Sequence, residues 1–369
     1  LHRRGQDEES TRAAGIRRAQ RATAEAAGRA AVTQRPTGQE VSGPRDRSPS
    51  AAFAASSGAA PPEPAALPDS VAGQLVLRLA PKSWHPLLQL ARLDRPIGWW
   101  LLLLPCWWSS ALGSIYQGGP LRFRDLFLFF AGAVVMRGAG STYNDIIDRD
   151  VDTKVERTKG RPLASGRIGA TAAAVFLAAQ CLAGLAVLLS FNGFTVLLGF
   201  ASLGVVGLYP FMKRISTWPQ AVLGAAFAWG ALIGWAAALG SLASAPLWLY
   251  LGTVFWTIGY DTIYAIQDIA DDALAGIGST ARAFGGRVRL GVGYLYALAV
   301  ICIEAALLAA GAGWPAQGGL LLFASHLAWQ AMRVEPSNGA LASRLFRSNR
   351  DAGLMLFAGL AAEIFLAPE

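Results

Sequence analysis

The chain reads as an all-α membrane protein of nine transmembrane helices, and three observations predict it. Its composition is 53% hydrophobic and only 15% charged, with a mean hydropathy of +0.38. An ordinary soluble domain is about 25% charged. Apolar segments follow one another almost without pause from Ile97 to the C-terminus. The basic residues gather in alternate loops, as the loops on one side of a bilayer do. One membrane domain, residues 83–369, is therefore expected behind a low-complexity extension, residues 1–82.

Taken in order, the first stretch is rich in Ala, Arg, Gly, Ser and Pro and has too few large apolar residues to form a core. It is expected to be disordered. A mitochondrial leader would be Arg-rich and poor in acids, whereas Asp7, Glu8, Glu9, Glu25, Glu40 and Asp46 stand here. A bacterial inner membrane is the expected location on that ground. A spanning helix needs about 17–25 residues. Segments 97–117, 123–145, 170–191, 194–211, 218–240, 246–268, 290–311, 315–333 and 351–367 qualify. In the fifth, Gly230 and Gly234 stand four apart, a spacing that lets helices pack closely in lipid.

Sidedness follows from Lys and Arg. Lys82, Arg92 and Arg95 precede the first segment; Arg149, Lys154, Arg157, Lys159, Arg161 and Arg167 fill the loop after the second. Lys213 and Arg214 end the fourth, Arg282, Arg287 and Arg289 follow the sixth, and Arg333, Arg344, Arg347 and Arg350 follow the eighth. Of the intervening loops only the first carries basic residues, Arg122 and Arg124. The basic side is expected to face the cytoplasm. The net charge of +8 is thus a topological signal and calls for no nucleic acid. Cys106, Cys181 and Cys302 lie apart in apolar segments, with neither zinc nor redox spacing.

Two acidic runs close the second and sixth segments on the basic side. The first holds Asn144, Asp145, Asp148, Asp150 and Asp152; the second holds Asp261, Asp268, Asp271 and Asp272. A carboxylate beside lipid is costly unless paired, so such residues are candidates for function. On a helix Asp145, Asp148 and Asp152 share one face, and Arg137, Ser141 and Asn144 extend the stripe backward. Asp261, Tyr264, Asp268 and Asp272 share a face in the second run. A single aspartate at such a position is usually a solvated cap; two one-faced clusters flanked by basic loops point to one metal-bearing site. Hard oxygen donors without His or Cys select Mg²⁺, which completes its shell with water and phosphate oxygens. Four carboxylates and a diphosphate carry about seven negative charges, which two Mg²⁺ ions leave partly unbalanced. Lys159, Arg161, Lys213 and Arg214 are placed to supply the rest.

These runs resemble the two aspartate motifs of the UbiA-type intramembrane prenyltransferases, NDxxDxxxD and DxxxD. The resemblance spans about residues 84–367 and is closest to the 4-hydroxybenzoate polyprenyltransferases of ubiquinone synthesis. It is carried also by the stretches 90–98, 136–140, 157–166, 209–214, 218–220, 260–265 and 278–281. It implies a nine-helix bundle around a central cavity open to lipid. Asn144, Asp145, Asp148, Asp152, Asp268 and Asp272 are then expected to bind Mg²⁺. Asp148, Asp152, Asp268 and Asp272 are expected to drive catalysis, and Lys159, Arg161, Lys213 and Arg214 to hold the diphosphate of a polyprenyl diphosphate. Arg137, Arg95 and Tyr264 are expected beside the acceptor, 4-hydroxybenzoate. The second motif departs from its relatives: Ile266, Ile269, Ala270 and Gly278 stand where polar or charged residues are common, which implies altered diphosphate binding. The rival readings are a haem or naphthoate acceptor on the same fold, and a cation-coupled transporter. A transporter would carry its acids near the bilayer midplane on broken helices.

Overall fold

A computed structural model describes residues 75–154, 158–216, 218–269 and 278–366. Residues Pro62–Glu369 form one compact unit, and a first unit, Leu1–Pro61, lies outside the described residues. Among the described residues every regular element is helical. Long helices occupy the expected segments: α1 Ile97–Gln117, α2 Phe123–Ile147, α3 Ala170–Leu188, α4 Gly193–Ile215, α5 Pro219–Leu239, α6 Ser244–Ala265, α7 Val288–Ala309, α8 Trp314–Arg333 and α9 Asn349–Leu366. By length and composition, α2, α3, α5 and the run Thr280–Ala309, which contains α7, are able to cross a membrane. Their outward faces carry bare apolar side chains, among them Val175, Leu182, Leu290 and Ile301. In water such surface would be an association hazard; against lipid it costs nothing.

The core joins α1, α6, α7, α8 and α9. Trp108 and Trp256 are fully buried with ring centroids 4.9 Å apart, and Phe323 meets both edge-on. Their indole N–H groups are satisfied: Trp108 donates to the Gly353 carbonyl at 2.8 Å and Trp256 to Asn349 Oδ1 at 2.9 Å. Gly230 and Gly234 do what their spacing predicts. A methyl on Gly230 would lie 2.7 Å from Cys106 Sγ, and one on Gly234 would collide with the Cys106 carbonyl of α1. The helix breaks between them and Pro219, at Trp229, where the α5 ladder divides into Pro219–Ala228 and Gly230–Leu239.

Bonds between helix ends fall into two sets, matching the alternation read from the loops. At the end poor in basic residues, Arg122 and Arg124 both pair with buried Asp125, at 2.9 and 3.1 Å. Arg122 also donates to the Ala238 carbonyl closing α5, and Arg124 to the Ser190 carbonyl beyond α3, each at 2.8 Å. Cations there complement helix C-termini. These two arginines, the exception to the charge pattern, are thus a latch across three helix ends. Glu363 of α9 caps α8 at the same end, accepting from the Gly313 N–H at 2.8 Å and the Ala316 N–H at 3.3 Å. Glu304 accepts from Gln317 at 3.3 Å. Both glutamates stand in apolar helices, and each has a partner on a neighbouring helix.

Candidate functional site

The site lies at the opposite, basic end. Helix α2 closes at Asp148, whose N–H donates to the Asn144 carbonyl at 2.9 Å, and a single turn, Arg149–Asp152, continues from it. The Asp152 N–H returns to the Asp148 carbonyl at 2.8 Å. The stripe therefore survives a small break in the helix. Arg137 donates to Ser141 Oγ at 3.0 Å along it, and its guanidinium stands 5.8 Å from the Phe227 ring centroid. Asn144 and Asp148 are half-buried, Asp152 is buried, and Asp150 is exposed, as its position off the stripe predicts.

Asp145 and Arg161 have occupations that differ from those expected. Asp145 is 1% exposed, and its Oδ1 accepts from Arg92 Nη2 at 2.7 Å and from Arg161 Nη1 at 3.2 Å. Arg161 Nη1 also lies 2.8 Å from Asp152 Oδ2. Two guanidinium groups thus balance two carboxylates. The Oδ1 oxygen of Asp145 is thus held between two guanidinium groups. The loop that carries Arg161 is anchored by Thr158, which donates to the Asp152 carbonyl at 3.0 Å. Arg167 ties the loop to Gln89 Oε1 at 2.8 Å and to the Gly160 carbonyl at 2.6 Å. Lys159 is exposed on it.

Arg92 and Asp94 precede α1, where sequence marked only a basic flank. Burial lowers the Arg92 pKa to about 10, with Asp145 opposing that shift, so the group stays charged at neutral pH. Asp94 is fully buried, and Arg95 Nε approaches its Oδ2 at 3.3 Å. Burial raises its pKa, and Arg95 and Arg92 counter it. Arg92 pairs with a carboxylate 53 residues along the chain, so no local spacing reveals that contact.

The second run closes α6. The helix ends at Ala265, and Ile266–Asp268 form a 3₁₀ turn, tighter than the α-helix expected through residue 268. Asp261, Tyr264 and Asp268 are half-buried. The Tyr264 ring packs 4.7 Å from Phe346, which belongs to a short amphipathic helix, Gly339–Arg347, between α8 and α9. That helix has its own N-cap, Asn338 accepting from the Leu341 N–H at 3.0 Å, yet is too short to stand out in a hydropathy reading. Ala270, Asp271 and Asp272 lie outside the described residues, as do the side chains of Lys213 and Arg214 in the last turn of α4. Beyond the gap, Thr280 N–H donates to Gln220 Oε1 of α5 at 3.1 Å, and its hydroxyl lies 2.6 Å from that of Thr262.

Among the described residues, no three His, Cys, Asp or Glu side chains converge as metal ligands. Asp145 faces arginines, Asp272 is outside the described residues, and Asn144 is an amide. The donors of the two runs among the described residues, Asn144, Asp148, Asp152 and Asp268, are hard oxygens, a set that fits Mg²⁺ rather than a softer ion.

Residues 102–358 match the UbiA prenyltransferase family. The chain is 46% identical over 285 residues to the mitochondrial 4-hydroxybenzoate polyprenyltransferase of Aedes aegypti, covering 75% of this chain and 63% of that protein. It is 44% identical over 300 residues to the rat enzyme of the same name, covering 79% and 78%. Among solved structures it resembles the apo UbiA homologue from Aeropyrum pernix, at 28% identity and a TM-score of 0.60, over 71% of this chain and 97% of that one. A UbiA homologue from Archaeoglobus fulgidus bound to GPP and Mg²⁺ shares the fold, with 19% identity and a TM-score of 0.55, over 76% and 100%.

The relatives overturn the expected bacterial inner membrane, since the similar enzymes of insect, plant and mammal are mitochondrial. Loop charge reports which side of a bilayer a loop occupies and is silent on which bilayer it is. Acids scattered in the first stretch were a poor discriminator. Matched over residues 102–358 and by relatives along most of its length, the chain belongs to the UbiA prenyltransferase family.

Proposed function

We propose that this protein transfers a polyprenyl group from polyprenyl diphosphate to the ring carbon ortho to the hydroxyl of 4-hydroxybenzoate, in a mitochondrial membrane. The observation that carries this is the pair of aspartate-bearing ends of α2 and α6 on the arginine-rich side of a chain 44% identical, over most of both lengths, to an enzyme of that name. Acids at helix ends, rather than at mid-span, suit a phosphate site better than a transporter.

Asn144, Asp148 and Asp152 on one end, and Asp268 with Asp272 on the other, would hold Mg²⁺. Bound there, Mg²⁺ supplies charge that makes diphosphate a better leaving group. Lys159, and Lys213 and Arg214 of the last turn of α4, would bind the remaining oxygens. The allylic C–O bond breaks and its electron pair leaves with diphosphate. The ring carbon of the acceptor supplies the pair for the new C–C bond, and a carboxylate of the second run takes the displaced ring proton. Arg137, which donates to Ser141 and lies over Phe227, would pair with the acceptor carboxylate, and Arg95 and Tyr264 would flank it. Membranes containing the protein, given 4-hydroxybenzoate, a polyprenyl diphosphate and Mg²⁺, should form prenylated product. Folded protein that forms none, or forms as much in excess chelator, would sink the proposal.

A further inference from the structure

We infer that Arg92 is a positioning residue for the diphosphate end of the site: by neutralising Asp145 it keeps Arg161 available to Asp152. The inference rests on the reading above, in which Asp152 is a Mg²⁺ ligand.

Arg92 is the one non-glycine described residue with positive φ, at 56°. It follows the short helix His85–Leu90, where the Leu93 N–H returns to the Leu88 carbonyl at 2.9 Å and the Arg92 N–H to the Gln89 carbonyl at 3.1 Å. Helices that end this way normally place Gly at the left-handed position, since any other L-residue is strained there. An arginine at such a position needs a compensating contact. Its side chain is buried and makes two: Nη1 donates to the Gln89 carbonyl at 3.2 Å and Nη2 to Asp145 at 2.7 Å. The guanidinium therefore locks the segment before α1 onto the end of α2.

Asp145 then decides what Arg161 does. Its Oδ1 already holds Arg92, and its Oδ2 is buried without a hydrogen-bond partner among the described residues. Arg161 lies farther from Asp145, at 3.2 Å, than from Asp152, at 2.8 Å. Without Arg92, Asp145 would be a buried carboxylate with Arg161 as its remaining partner. Such a charge draws the nearest cation strongly. Arg161 would be pulled inward, leaving Asp152 unoriented and the diphosphate end short of one positive charge.

The test compares wild type, Arg92→Gln and the double variant Arg92→Gln/Asp145→Asn in detergent or nanodiscs. One readout is thermal stabilisation by Mg²⁺ with inorganic diphosphate; the other is KM for each substrate. Arg92→Gln should lose more than half of the stabilisation and raise KM for polyprenyl diphosphate at least fivefold, with KM for the acceptor within twofold. Removing the Asp145 charge should restore both, because Arg161 is released. Arg92→Lys keeps the charge without the fork and should fall between; it carries the same measurements if Arg92→Gln does not fold. Unchanged Mg²⁺–diphosphate stabilisation in a folded Arg92 variant with lower melting temperature means a merely structural arginine and overturns the inference. A double variant no better than Arg92→Gln overturns it as well. Wild type that Mg²⁺ and diphosphate fail to stabilise overturns the magnesium reading itself, and this inference with it.

Discussion

The two ends of the bundle use charge in different ways. At the end poor in basic residues, Arg122 and Arg124 share Asp125 and satisfy helix carbonyls, and Glu363 satisfies helix N–H groups. Each charge there closes a helix end. At the basic end, one pair of carboxylates, Asp145 and Asp152, is matched by Arg92 and Arg161, whereas Asn144, Asp148 and Asp268 stand half-buried at the ends of α2 and α6. The Arg92–Asp145 pair holds structure, whereas Asp152 joins that pair, through Arg161, to the proposed Mg²⁺ site. Acids gathered at helix ends beside excess cations suit an anionic ligand carried by metal.

The comparison breaks most visibly at Asp148. Asp148→Ala or Asp268→Ala should lower turnover about a hundred- to thousandfold, the scale on which one electrostatic contact to a developing charge matters. Membrane insertion and melting temperature should stay near wild type. Turnover within tenfold of wild type in either variant would show that the half-buried acids are not the reacting end.

Asp125→Asn should do the reverse. It leaves Arg122 and Arg124 without their shared counter-charge. Because those side chains are 42% and 66% exposed, solvent screens the loss, and about 1–2 kcal/mol of stability is expected to go. Product formation at a temperature well below unfolding should not change. A fall in KM or kcat without a fall in melting temperature would mean that the two ends are coupled.

The smallest effect is expected at Glu363. Glu363→Gln keeps an oxygen for the Gly313 N–H but removes the charge facing the start of α8, worth about 0.3–1 kcal/mol. Chemical denaturation should resolve it as a small shift in midpoint. A loss several times larger would mark the α8–α9 contact as a principal stabiliser of the bundle.

Much of this was legible in residues 97–367. Hydropathy placed the long helices within a few residues of where they lie, because an apolar run of that length has few alternatives to a helix in lipid. The glycine pair in α5 and the stripe from Arg137 through Ser141 were legible too, since both are consequences of helical period. Other features left no periodic trace. The break of α5 at Trp229, the 3₁₀ turn at Asp268 and the short helix Gly339–Arg347 are local adjustments to packing.

Sequence alone determined the fold class, the helix order and the existence of two acidic helix ends. Those follow from the cost of putting backbone and charge in lipid, which each segment meets by itself. Tertiary structure decided which carboxylates are buried and which stand half-buried. Asp145 and Asp148 are near-equivalent on the stripe, yet one is buried against an arginine 53 residues away and the other lies half-open at the helix end. That distinction depends on where the chain before α1 returns to α2. Coulomb attraction acts on distance in space, to which neighbours in sequence are a poor guide.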